Sequence, residues 1–164
     1  MKKTFVAIAL VFASCFVNAQ QPSDYESITL KVKEDYTPEV DKTALGAADY
    51  LLTTPIEKDN VPRLKAAQFL IRWMTGSPTY TFTISEPANK ISKGNDQMMI
   101  TYLAAMSKYA LENPKESKDD KKVKLNATKM VLDYCKKYDI KMNGELKKLN
   151  QANEKGELEK YLGV

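Results

Sequence analysis

The sequence predicts a mostly α, single-domain protein of four to five helices built from two αα-hairpins, with room for a minor two-stranded β element. Three observations carry that expectation. Apolar residues recur at helical spacing over several long stretches. Asn, Thr, Asp and Pro punctuate the starts and ends of those stretches. The length of 164 residues, 43% hydrophobic and 28% charged, suits one packed core and argues against two domains or a disordered chain.

Residues 1–19 come first and stand outside the fold. Lys2 and Lys3 form a positive start, Thr4 to Val17 is almost unbroken apolar sequence, and Val17-Asn18-Ala19 follows. That layout is a secretory leader cleaved between Ala19 and Gln20. Its style is bacterial, which points to a Gram-negative periplasm, the outer envelope or the medium. The apolar run is short for a bilayer span. The alternative is a membrane-anchored lipoprotein. Ala13-Ser14-Cys15 resembles the end of a lipobox, with Cys15 as the lipidated residue. Against it, Phe12 stands where Leu is usual, and the apolar run continues through Phe16 and Val17.

Residues 20–37 form an N-terminal extended segment, in which Ile28, Leu30 and Val32 alternate with polar residues as a short strand does. The helical domain spans 38–164. Its first helix is expected over about 38–53, with Thr37 as N-cap, Pro38 in the first turn, and Leu45, Ala48 and Leu52 along one stripe. A second helix is expected over about 61–75, capped by Asn60. There Lys65, Gln68, Arg72 and Thr75 draw one narrow polar line on an otherwise apolar cylinder, as in a central core helix.

Tyr80, Phe82 and Ile84 alternate with threonines and read as a second strand, available to pair with 28–32. Residues 85–95 read as a loop. A third, largely apolar helix follows over about 96–113. A fourth runs over about 118–138, with Val123, Ala127, Val131, Tyr134 and Tyr138 on its inner stripe. A weaker helical segment over 143–162, interrupted by Gly156, closes the chain.

The two halves share a faint pattern. Tyr50 to Glu57 matches Tyr109 to Glu116 at Tyr, Leu, Pro and Glu, and an Ala-centred helix follows each. The run Ala110-Leu111-Glu112-Asn113-Pro114 resembles the end of a tetratricopeptide repeat. The two copies lie too far apart for an array of that repeat.

Chemistry is thinly supplied. Histidine is absent, and with it the commonest general base and metal ligand. After cleavage Cys135 is the one cysteine left, which rules out an internal disulfide and suits a buried, inert thiol. No glycine-rich phosphate loop, Ser-x-x-Lys or Gly-x-Ser-x-Gly motif occurs. Asp119-Asp120 reads as an acidic helix start. No catalytic residue, metal site or cofactor is expected. A carboxylate-dependent hydrolase is the least favoured function, because the two core helices carry only Asp96 and Glu112.

All but two of the 25 basic residues are lysines, the exceptions being Arg63 and Arg72. Residues 114–164 hold 13 lysines against 9 acids, so the second half is the basic one. Nucleic acid is not an expected partner, since arginines and stacking aromatics are missing from that face. It reads as a solvated surface, with contact to anionic surfaces through 114–164 as the sharper alternative.

The candidate ligand site is the junction of Arg72, Trp73, Tyr80 and Phe82, where a helix end meets three large aromatics and a cation. The plainer alternative has those rings filling the core. The leading expectation is therefore a secreted or periplasmic, non-enzymatic helical protein that binds another envelope or secreted protein. A small-ligand carrier with an aromatic pocket near Trp73 and Tyr80 is the alternative.

Overall fold

The structure, a computed structural model, describes residues 24–84 and 86–164. The expected leader, its cleavage point at Ala19 and Gln20, and Cys15 lie outside the described residues. The described chain is mostly helical: α1 (Pro38–Thr53), α2 (Val61–Gly76), α3 (Glu86–Ser92), α4 (Asp96–Glu112), α5 (Asp120–Lys137), α6 (Gly144–Glu154) and α7 (Leu158–Leu162).

Side-chain caps set most of the starts. Thr37 Oγ1 accepts the Val40 N–H at 3.3 Å, with Pro38 beside it. Asn60 Oδ1 accepts the Arg63 N–H at 2.9 Å, and Asn95 and Asn143 act alike for α4 and α6. Asp119 takes the N–H groups of Lys121 and Lys122 at the head of α5. Each cap satisfies a backbone donor that the first helical turn leaves without a partner.

Helix α4 occupies the centre. It packs on α1, α2, α3 and α5, and every residue from Thr101 to Ser107 is buried. One apolar cluster lies on its α1/α2 side, built on Trp73, Phe69, Leu70 and Leu51. The other joins it to α5, α6 and α7 through Met98, Tyr102, Val131, Leu132, Leu146 and Leu149. Ala44, Ala47 and Ala48 of α1 share the first cluster with Ala104 and Ala110 of α4. These small side chains let the two helix backbones approach closely, and Lys108 of α4 closes the seam by pairing with Asp49 at 2.6 Å and Glu112 at 2.5 Å. Burial opposes its charge, but the two carboxylates outweigh that and hold its pKa above the ordinary value.

Several expectations need correction. The most enclosed helix is α4, and α2 is peripheral: Ile71, which the sequence pattern puts on an apolar cylinder, is 42% exposed, and Leu64 on the same helix is 52% exposed. The two-stranded β element is not present among the described residues. In the first segment the Asp35 carboxylate takes the N–H groups of Lys31 (2.6 Å) and Val32 (3.0 Å), folding the chain into a short 3-10 turn over Lys33–Asp35 instead of leaving it free to pair. In the second, Tyr80 turns its N–H back to Ser77 Oγ at 3.2 Å, and its ring docks on Trp73.

The stretch read as a loop holds α3, whose Ala88 and Ile91 are buried beside α4 and α6. The closing segment is two helices, because Gly156 adopts φ +71 and turns the chain between them. The extended segment is held at both ends. The Tyr25 ring stacks on Phe69 at 4.9 Å, and Tyr36 lies so close to Gly76 that a Cβ there would meet its hydroxyl at 1.7 Å.

Candidate functional site

The aromatic junction is a packed one. Trp73 is fully buried, with Tyr80 at 5.5 Å and Phe82 at 5.7 Å between ring centroids. Its indole Nε1–H donates to Asp41 Oδ1 at 2.9 Å, across from α2 to α1. Burial raises the Asp41 pKa, partly offset by that bond, and burial with the Asp41 charge raises the Tyr80 pKa. The structure thus brings Trp73, Tyr80 and Phe82 together and places Arg72 elsewhere. Arg72 points from the exposed side of α2, donates from Nη2 to the Tyr25 carbonyl at 2.8 Å, and lies 5.9 Å over the Phe69 ring.

A second cluster is one that sequence reasoning missed. Arg63 is 3% exposed, and its Nη1 donates to the carbonyls of Leu51 (2.5 Å) and Thr54 (2.9 Å) at the end of α1. Its Nη2 and Nε reach Thr101 Oγ1 and Gln97 Oε1 on α4 at 3.3 and 3.4 Å. The guanidinium lies 5.7 Å from the Tyr134 ring centroid. The hydroxyls of Tyr134 and Tyr138 donate to the Thr54 and Thr53 carbonyls.

The open end of α1 is therefore closed by side chains of α2 and of α5's C-terminal end. Burial lowers the Arg63 pKa, and the neighbouring tyrosines act against that. A signal was present in the sequence. In a chain that otherwise uses lysine, both arginines serve as planar forks that reach backbone carbonyls, a geometry lysine does not supply.

The outer face of α2 is the most unusual surface. Val61, Leu64 and Ile71 stand exposed beside the polar line of Lys65, Gln68 and Arg72. Helical spacing puts all of them within one arc. Two grooves border this face. One, of ≈ 310 Å³, has apolar walls from Val61, Leu64, Ala67 and Ile100, with Glu57 and Asp59 on its rim. The other, of ≈ 510 Å³, is lined by Tyr25, Phe69 and Ile71, with Lys65, Arg72 and Glu26 around it. Lys65 pairs with Glu26 at 3.0 Å. A smaller cleft of ≈ 190 Å³ between α4 and α5 is bordered by Lys124, whose ammonium already bonds the Leu162 carbonyl at 2.7 Å.

Among the described residues no group of His, Cys, Asp and Glu has the makings of a metal site, and no helix is long and apolar enough to cross a membrane. Cys135 is buried, which pushes its thiol pKa up to about 11. The inner positions of α5 are apolar apart from Thr128, and Lys121, Lys129, Lys136 and Lys137 lie on its exposed side. No protein-family model matches the chain, and no curated protein or solved structure matches it at a significant level.

Proposed function

We propose that this chain is an exported, non-catalytic binding module that docks a protein through the outer face of α2. One observation carries the reading: Val61, Leu64 and Ile71 are 55%, 52% and 42% exposed on a single helical arc. Scattered exposed apolar residues are ordinary, but three on one arc between two grooves form a patch of the kind that partners cover. Two helical hairpins, held together by Arg63 and the α1–α4 seam, would supply the rigid frame behind it.

The test is site-specific photo-cross-linking in the exporting cells. A photoreactive residue at Leu64 or Ile71 should give a discrete cross-linked product, and one at the exposed Lys129 of α5 should not. Adding Leu64→Asp should abolish the product obtained from position 71. Equal labelling from all three positions would defeat the proposal.

A second reading draws on the larger groove, where the Tyr25–Phe69 stack and the Arg72 cation together suit a small anionic aromatic ligand. Native mass spectrometry of the protein from its own source would reveal such a ligand as added mass, lost in Arg72→Ala.

A further inference from the structure

We infer that the protein covering the outer face of α2 is a second copy of this chain, packed so that the two α2 helices run antiparallel about a two-fold axis. The inference rests on the protein-binding reading above and supplies its occupant. Its basis is the order of groups along the helix. Glu57 and Asp59 border the N-terminal groove, while Arg72 borders the groove toward the C-terminal end. Val61, Leu64 and Ile71 lie between or beside these charges.

A two-fold axis crossing the outer face at the height of residue 66, between Lys65 and Gln68, sets Ile71 of one copy against Val61 of the other, at the mouth of the groove walled by Leu64, Ala67 and Ile100. The same operation sets Gln68 opposite Leu64 and Arg72 opposite Asn60, one residue from Asp59 and within reach of its carboxylate. Every contact then occurs twice, as an isologous interface requires. Parallel packing would instead face Arg72 with Arg72 and Asp59 with Asp59, so the charges select the antiparallel register. Lys65 of each copy then lies beside the axis, where Glu26 of its own chain, 3.0 Å away, offsets its charge. Arg72 spends one N–H on the Tyr25 carbonyl, and a guanidinium has others to offer a carboxylate.

The area sets the strength. Helix α2 has 16 residues. At about 1.5 Å per residue its face is about 24 Å long, so the paired surfaces fall in the small class below about 1,200 Å². The dimer is therefore weak, reversible and sensitive to salt.

Sedimentation equilibrium of the exported protein over about 5–500 μM tests this, with Kd read from the monomer–dimer balance. The wild type should dimerise within that range, and Ile71→Asp should remain monomeric. Arg72→Glu and Asp59→Arg should each weaken association by about tenfold or more, and the two combined should restore it. Circular dichroism and the Trp73 emission confirm that each variant is folded. A wild type that stays monomeric, a dimer indifferent to Ile71→Asp, or a double variant no better than the singles would overturn the inference.

The cross-linking experiment keeps the two claims apart. A product of twice the chain's mass from positions 64 and 71 supports the second copy. A product of any other mass leaves the docking face standing and removes this occupant.

Discussion

Trp73 and Asp41 show how one residue pair governs a larger region. The indole is fully buried and its N–H reaches across to α1. Trp73→Ala should cost about 3–5 kcal/mol, the range for emptying a large aromatic site; urea denaturation followed by circular dichroism measures it. A loss under about 1 kcal/mol would mean that the ring does not fill the core.

Asp41 adds a pH signature. Burial raises its folded pKa above the ordinary carboxylate value, so the folded state holds this proton more tightly than the unfolded chain does. Its contribution is fully present below the unfolded pKa and is lost as pH rises through the folded one. Asp41→Asn keeps an oxygen acceptor for Trp73 and removes the charge. The Tm of the variant relative to wild type should therefore climb as pH rises from about 4 and level off above the raised pKa. A constant difference across that range would show that Asp41 does not titrate in the fold as its burial requires.

At the scale of elements, the end of α1 is the joint of the structure. Arg63 of α2 and Tyr134 and Tyr138 from the end of α5 all converge on carbonyls at Leu51, Thr53 and Thr54. Arg63→Lys keeps the charge but loses the planar fork, so one of the two carbonyl bonds has to go. The expected loss is about 1.5–3 kcal/mol, the worth of one charge-assisted hydrogen bond. Chemical denaturation reads it, and a lysine variant as stable as wild type would assign the joint to the tyrosines alone.

The element scale also shows what the sequence makes legible. The starts of α1, α2, α4 and α5 can be read to within about two residues, because Thr37, Asn60, Asn95 and Asp119 are local caps whose bonds reach only two or three residues ahead. Helix α3 is hidden because Pro87, in its first turn, and Gly94, just past its end, punctuate a segment too short to display a period. The strands fail because alternation records only which side chains face inward, and Tyr80 and Phe82 face Trp73, not a strand partner.

The exposure of α2 is illegible for a related reason. Its composition is that of a core helix, and only the position of α4 on one side of it reveals that Leu64 and Ile71 stand about half exposed among the described residues. The candidate site was half legible. The aromatic cluster around Trp73 is real, but the cation beside it in sequence turns to another face.

The whole molecule has an unusual titration profile. With no histidine, it has no side chain whose ordinary pKa lies near neutrality. Its Tm should hold nearly level between about pH 6 and 8. Above that the groups act together. Burial raises the pKa of Tyr25, Tyr80 and Tyr134, pushes Cys135 up to about 11, and with the Glu116 carboxylate pushes Tyr109 up to about 12.

Each of these groups binds its proton more tightly in the fold than in the unfolded chain. Their contributions are therefore complete below the unfolded values and are lost as pH climbs through the folded ones. Stability should fall steeply from about pH 9 upward, as a property of the packed tyrosines and not of any one site. Tyr109 provides the internal control. Its hydroxyl donates to Glu116 Oε2 at 2.5 Å, and Glu116 in turn pairs with Lys122 at 2.6 Å, which ties the end of α4 to the start of α5. Tyr109→Phe removes that bond and its proton, so the gap in Tm between wild type and variant should be widest below pH 10 and should close as pH approaches 12. Two curves that run parallel through that window would show that the Tyr109 proton is held no more tightly in the fold than outside it.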